Sequence, residues 1–125
     1  MEQQIDPRHW SGLLAERLAA SHVEAQGLNI IERNFRCRGG ELDLVCAAAD
    51  LLVVVEVRQR KRRDFGGAIG SVTAPKRRRI LRATEFFRLR TPRWRGHAVR
   101  FDLIAVQGSP EGAYELIWIK DAFRP

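Results

Sequence analysis

The stretch GELDLVCAAADLLVVVEVRQRKRR, residues 40–63, sets two carboxylates, Asp43 and Glu56, inside apolar runs and follows them with a dense group of cations. A two-residue turn at Ala49-Asp50 would make the runs antiparallel strands, with Asp43 opposite Glu56 and Glu41 opposite Arg58. Side chains alternate with period two, so all four would then project from one face. A turn of odd length would break this pairing, and the reading therefore depends on register. In the second strand Leu51, Val53, Val55 and Val57 make an apolar opposite face, while Leu52 and Val54 extend the face of Glu56. A strand apolar on both sides belongs in the interior of a sheet.

Opposed carboxylates in such a place repel each other and lose hydration, at a cost on the order of several kcal/mol per ion unless a partner is supplied. A hard divalent cation is one such partner. Mg²⁺, or Mn²⁺ in its place, takes oxygen ligands, uses one or two carboxylates and leaves positions for water and phosphate. Held by Asp43 and Glu56, such an ion would polarise a scissile phosphate and activate water. A neighbouring cation would stabilise the extra negative charge of the transition state. The alternative is structural: Glu41 and Arg58 form a cross-strand ion pair, and Asp43 accepts a backbone amide. The residues by themselves leave both open.

The elements that must position these groups follow from the rest of the chain. Residues 10–26 have the pattern of a helix, with Ser11 as N-cap and Gly27 just past the end, and Leu14, Leu18 and Ala25 fall at the spacing of a buried stripe. Residues 28–37 are strand-like and end at Arg38-Gly39-Gly40. The two acid-bearing strands come next, and residues 59–72 form a basic loop containing glycine. Thr73 can cap a helix over 74–90, because Pro75 is tolerated in a first turn and not in an interior. That helix would bury Ile80, Leu81, Ala83, Thr84 and Phe87, with Arg77, Arg78 and Arg82 pointing elsewhere, and Thr91-Pro92 ends it. The runs RFDLIAV and YELIWIK, around GSPEG, make a final hairpin. The order is α-β-β-β-α-β-β in a single domain over 1–125, and the class is α/β.

At 125 residues with 45% apolar content, the chain can build a core without staples. Its longest apolar run, residues 51–55, is far too short to cross a bilayer, and the first ten residues hold no apolar signal segment. A soluble, cytoplasmic protein with no membrane partner is the expectation. Cys37 and Cys46 form no CxxC pair, and the pattern suits a strand-end thiol and a core residue respectively. His9, His22 and His97 have no metal-binding spacing.

The net charge of +7 is uneven. Residues 1–57 carry −4 and residues 101–125 carry −2, whereas residues 58–100 carry +13. A field so concentrated favours a polyanion, of which nucleic acid is the commonest. Arg60, Lys61, Arg62 and Arg63 leave the acid-bearing strand at its end. Lys76, Arg77, Arg78 and Arg79 fall in the first turns of the second helix, where free amides also favour phosphate. Such contacts position a nucleic-acid backbone and carry little sequence information. Trp94 could stack on an unpaired base or pack at the helix–strand junction, and Asp102 has the setting of a structural acid.

The ordered set of motifs resembles the YraN-like group of small bacterial predicted endonucleases over nearly the whole chain. It begins with Gly12, Glu16 and Ala19 and passes through Gly27 and NFRC at 34–37. The main block is GELDLV at 40–45 followed by VEVR at 55–58. Arg60, Phe65-Gly66, Val72, Lys76 and RFDLIAV at 100–106 complete it. The resemblance implies a restriction-endonuclease-like fold, a mixed central sheet flanked by helices, related to archaeal Holliday-junction resolvases. It further implies that Asp43 and Glu56 bind metal, that Glu16 completes the site from the first helix, and that the substrate is DNA, including branched DNA. A homodimer is expected by the same analogy. One residue departs from the pattern. The family motif ends in lysine, whereas this chain has Arg58, which stays protonated and can only neutralise charge. Lys61 and Lys76 are the candidates to stand in for that lysine. A non-catalytic nucleic-acid-binding module on the same fold is the competing expectation, and a plain protein adaptor would leave the acids unexplained.

Overall fold

The five apolar runs become five strands of one mixed sheet in the computed structural model, which describes residues 12–60, 65–108 and 111–124. Helix α1 (Gly12–Ala25) leads into β1 (Asn29–Cys37), β2 (Gly40–Ala48) and β3 (Leu51–Arg60), an antiparallel meander. The chain then forms α2 (Phe65–Gly70) and α3 (Ala74–Arg90) and a 3-10 turn at Pro92–Trp94. It returns as β4 (Ala98–Gly108), parallel to β3, and closes with β5 (Tyr114–Phe123), antiparallel to β4. The spatial order is β1-β2-β3-β4-β5. This is the expected α/β, restriction-endonuclease-like arrangement, with the longer helices on the sheet's two faces.

Each face has its own core. On one, Ala15, Ala19, Ala20 and Val23 of α1 pack on Leu44, Cys46, Val53, Val55 and Ile104. Of the expected stripe of Leu14, Leu18 and Ala25, Leu18 packs against this core and the other two do not. Leu14 is 39% exposed and Ala25 is exposed, because a valine-rich sheet face admits a helix more closely through alanine than through leucine. On the other face Ile80, Ala83 and Phe87 of α3 pack on Phe35, Leu42, Leu52, Val54, Phe101 and Leu103. Thr84 is buried there with its hydroxyl donating to the Ile80 carbonyl, and Leu81 is partly buried. β3 has a neighbour on both sides and a buried run from Leu52 to Val57, as its two-faced apolar pattern requires.

Two boundaries differ from expectation. The basic loop over 59–72 is in part structured: β3 continues to Arg60, paired with Gln107 of β4, and α2 occupies Phe65–Gly70. Parallel pairing with β4 extends the strand, and Val72, 2% exposed, anchors the segment in the α3-side core. The final hairpin is also longer than its apolar runs. Its pairing shifts between Phe101 and Leu103, and the buried Asp102 carboxylate spans the irregularity. Asp102 accepts from Arg100 Nε and Nη2, from Trp118 Nε1 and from the Asp121 amide, all at 2.8–2.9 Å. It is the structural acid its setting suggested. Cys46 is buried in the core and Cys37 is partly buried at the end of β1, both as free thiols. Trp94 packs against the α3-side core. Among the described residues no helix is long and apolar enough to cross a membrane.

Candidate active site

The pairing of β2 with β3 has the register that a two-residue turn predicts, from Ala48↔Leu51 to Leu44↔Val55. It stops there. The next pair in that register would be Asp43 with Glu56, and side chains take over from the backbone ladder. Asp43 Oδ2 accepts the Val57 amide at 2.9 Å, and the Glu56 carboxylate accepts the Asp43 amide. On the other side of β2, pairing passes from Arg33↔Leu44 to Phe35↔Leu42, which leaves Asn34 opposite Asp43 with a left-handed φ of 50°. The sheet is thus locally opened around Asp43. The expected cross-strand pair of Glu41 with Arg58 does not form. Glu41 instead meets Arg36 at 3.2 Å across the β1–β2 hairpin, because the ladder that would hold it against β3 has already ended.

A cavity of about 530 Å³ lies where the sheet opens. Glu16 enters it from α1, Asp43 from β2 and Glu56 with Arg58 from β3, so the three acids singled out in the sequence converge on one pocket. Lys76 and Arg79 line it from the start of α3, and Arg36, Cys37 and Arg38 line it from the end of β1. The Gly39-Gly40 turn makes this wall possible. A Cβ on Gly40 would lie 2.6 Å from the Arg79 carbonyl oxygen, so only glycine lets the turn rest on α3. Thr73 Oγ1 accepts the Lys76 amide at 3.4 Å and Pro75 occupies the first turn, which fixes the start of α3 beside the acids.

The pocket sets a buried acid pair, only partly offset by Arg58, inside a cationic rim. Burial raises the Asp43 carboxyl to about 6. Glu16 and Glu41 push in the same direction, and the Val57 amide and Arg58 oppose them. Burial also raises Glu56 to about 8, reinforced by the charge of Asp43 and resisted by Arg58 and the Asp43 amide. Glu56 is 3% exposed, and its Oε2 has no hydrogen-bond partner; Arg58 Nε is likewise buried without one. A buried acceptor left so is costly, and a cation relieves both the lost hydration and the mutual repulsion. The donor set is all oxygen, which suits a hard divalent ion. Among the described residues no three acidic, histidine or cysteine side chains are gathered tightly enough to ligate an ion alone. Two carboxylates and water remain a sufficient set for Mg²⁺.

Other basic residues divide. Arg60 is half-buried at the end of β3 and Arg78 is exposed, both away from the pocket lining. Arg77 turns aside: its Nε donates to the Val72 carbonyl at 3.0 Å, and its guanidinium lies 5.6 Å from the Phe123 ring centroid. Lys61, Arg62 and Arg63 lie outside the described residues. Arg36 and Arg38 reach the pocket although the sequence reading passed over them. They sit in the net acidic part of the chain, and only the hairpin fold brings them to the acids; the Arg38-Gly39-Gly40 break was the available signal.

The fold is of the α/β, restriction-endonuclease-like class, with an acid-lined pocket at the opened end of its sheet. Residues 15–106 match the family described as uncharacterised protein family UPF0102, and the chain belongs to that family, which is the YraN-like one. It is 44% identical over 113 residues to the UPF0102 protein of Pseudomonas putida strain GB-1, covering 90% of this chain and 92% of the relative. It is 50% identical over 112 residues to that of Dechloromonas aromatica strain RCB, covering 90% and 87%. With the Pseudomonas syringae pv. syringae strain B728a protein the identity is 42% over 120 residues, covering 96% and 98%.

Proposed function

We propose that this protein is a Mg²⁺- or Mn²⁺-dependent endonuclease that hydrolyses phosphodiester bonds in DNA. The observation that carries this reading is the convergence of Glu16, Asp43 and Glu56, from three separate elements, on one cation-rimmed pocket where Glu56 keeps an unpartnered buried oxygen. Asp43 and Glu56 would hold the ion, with Glu16 supporting from α1. When bound, a divalent ion supplies charge that polarises the phosphodiester and makes a water molecule more acidic. The chain's own part is positional and electrostatic. Arg58, beside both acids, opposes the negative charge that builds on the phosphate in the transition state. Arg36, Arg38 and Arg79 at the rim hold the flanking backbone phosphates. These contacts read charge and spacing rather than base identity, so cleavage would follow DNA shape more than sequence.

Incubation with plasmid and with a four-way junction, in Mg²⁺ or Mn²⁺, tests the reading. Cleavage that is lost in Asp43→Ala and Glu56→Ala, with DNA binding retained, is the expected result. Metal-independent binding without any cleavage would sink it. That outcome is the second reading, a nucleic-acid-binding module on a nuclease fold, and one observation favours it: Arg58 stands where the family motif has lysine. Recovery of cleavage in Arg58→Lys would then identify the arginine as the silencing change.

A further inference from the structure

The chain contains three lysines, Lys61, Lys76 and Lys120. Lys120 lies on β5, its Nζ 4.7 Å from the Trp118 ring centroid, and takes no part in lining the acid pocket. Lys61 lies outside the described residues. Lys76 enters the pocket itself, from the first turn of α3, facing Asp43 and Glu56 on the sheet and Glu16 on α1. The cation at the motif position, Arg58, follows Glu56 by two residues and acts as counter-charge to both sheet acids. It lines the same pocket with its Nε buried and without a partner, and it stays protonated, so any contact that needs a lysine amine falls to another group.

The local structure of α3 points the same way. Its first turn carries no acidic residue, and Lys76 and Arg77 stand there against the favourable sign of the helix dipole, with Arg78 and Arg79 following. Arg77 finds relief by turning to the Val72 carbonyl. Lys76 does not turn away. Its backbone is pinned by the Thr73 cap, and its side chain remains half-buried among the pocket walls. An ammonium is a compact charge with three donors on a flexible stem, suited to one phosphate oxygen and one water at the same time.

Building on the nuclease reading above, we propose that Lys76 is a further substrate-contacting residue: its Nζ donates to the phosphate under attack, in place of the missing lysine at position 58. The test uses the whole chain with a short DNA duplex in Ca²⁺, followed by amine acetylation read lysine by lysine by mass spectrometry. DNA should slow labelling of Lys76 and leave that of Lys120 unchanged. In Mg²⁺, Lys76→Ala should cut DNA about 100-fold more slowly while Mn²⁺ uptake stays at the wild-type level. Adding Arg58→Lys to Lys76→Ala should return part of the lost rate. Undiminished labelling of Lys76 with DNA bound overturns the proposal, as does wild-type cutting by Lys76→Ala alongside loss in Lys61→Ala. A wild type that binds DNA but never cuts it removes the nuclease reading alone, and the labelling then decides whether Lys76 meets phosphate.

Discussion

The Val57 amide donates to Asp43 Oδ2 at 2.9 Å just past the last paired residues of β2 and β3, Leu44 and Val55. Asp43 therefore has two tasks that a substitution can separate. Its oxygen satisfies an amide in the sheet, and its charge faces Glu56 and Glu16. Asp43→Asn keeps an acceptor for Val57 and removes the charge; it should leave thermal stability at or above the wild-type value and abolish Mn²⁺ uptake. Asp43→Ala also orphans the amide, and should cost about 1–3 kcal/mol relative to Asp43→Asn in urea unfolding. Equal stability of the two variants would show that the bond carries no weight.

The pocket should also make stability fall as pH rises. Asp43 and Glu56 titrate near 3.8 and 4.5 ordinarily and near 6 and 8 in the folded chain. Between those values the native state holds protons that the unfolded chain has lost, so the slope of stability against pH is negative. The contribution is complete below about pH 4 and lost by about pH 8. Melting temperatures without divalent ions should decline across this window. Glu56→Gln should flatten the decline. Mg²⁺ binds the ionised acids, and should therefore raise the melting temperature more at pH 8 than at pH 5. A flat profile in the wild type would show that burial of the two carboxyls is not compensated as described.

Gly40 tests the wall between the turn and α3. A Cβ there meets the Arg79 carbonyl oxygen at 2.6 Å, a backbone atom that cannot step aside, whereas one on Gly39 would only touch the Arg82 side chain at 3.4 Å. Gly40→Ala should destabilise by about 1–3 kcal/mol and weaken DNA binding by shifting Arg36 and Arg38. Gly39→Ala should do neither. Urea unfolding and fluorescence anisotropy with labelled DNA separate the two outcomes.

What the sequence made legible and what it hid follow one physical division. Local signals were sufficient for α3, since Thr73 and Pro75 mark its start and Thr91-Pro92 its end, and for the register of β2 on β3, which a two-residue turn determines. They were also sufficient to nominate Asp43 and Glu56, because charge in apolar runs is conspicuous, whereas Glu16 came only through the family resemblance. The end of the ladder at Leu44 was not legible. That Asp43 accepts a backbone amide was one of the two sequence readings and is what the structure shows. Nothing local says that the amide is that of Val57, or that Glu41 pairs with Arg36 rather than Arg58. The face of α1 was misread because Leu14 is more apolar than Ala15, yet the sheet selects for closeness of approach. Arg77 was grouped with Lys76 because they are adjacent, although neighbouring positions on a helix face different ways.

That last separation gives the sharpest test of the DNA-binding surface. Arg36, Arg38 and Arg79 line the pocket, while Arg77 is tied to Val72 and stacked on Phe123. Each phosphate contact releases condensed counterions, so the logarithm of affinity falls linearly with the logarithm of salt, with a slope set by the number of contacts. Alanine at Arg36, Arg38 or Arg79 should weaken binding to all DNA sequences alike and lower the slope by about 1 each. Arg77→Ala should leave the slope unchanged and lower the melting temperature instead, since what it removes is a contact within the fold. Charge counting along the chain would treat the four arginines as equals, or rank Arg77 above Arg36. An Arg77 variant that loses slope while Arg36 and Arg38 variants keep it would move the DNA path off the acid pocket and onto the outer face of α3, away from Asp43 and Glu56.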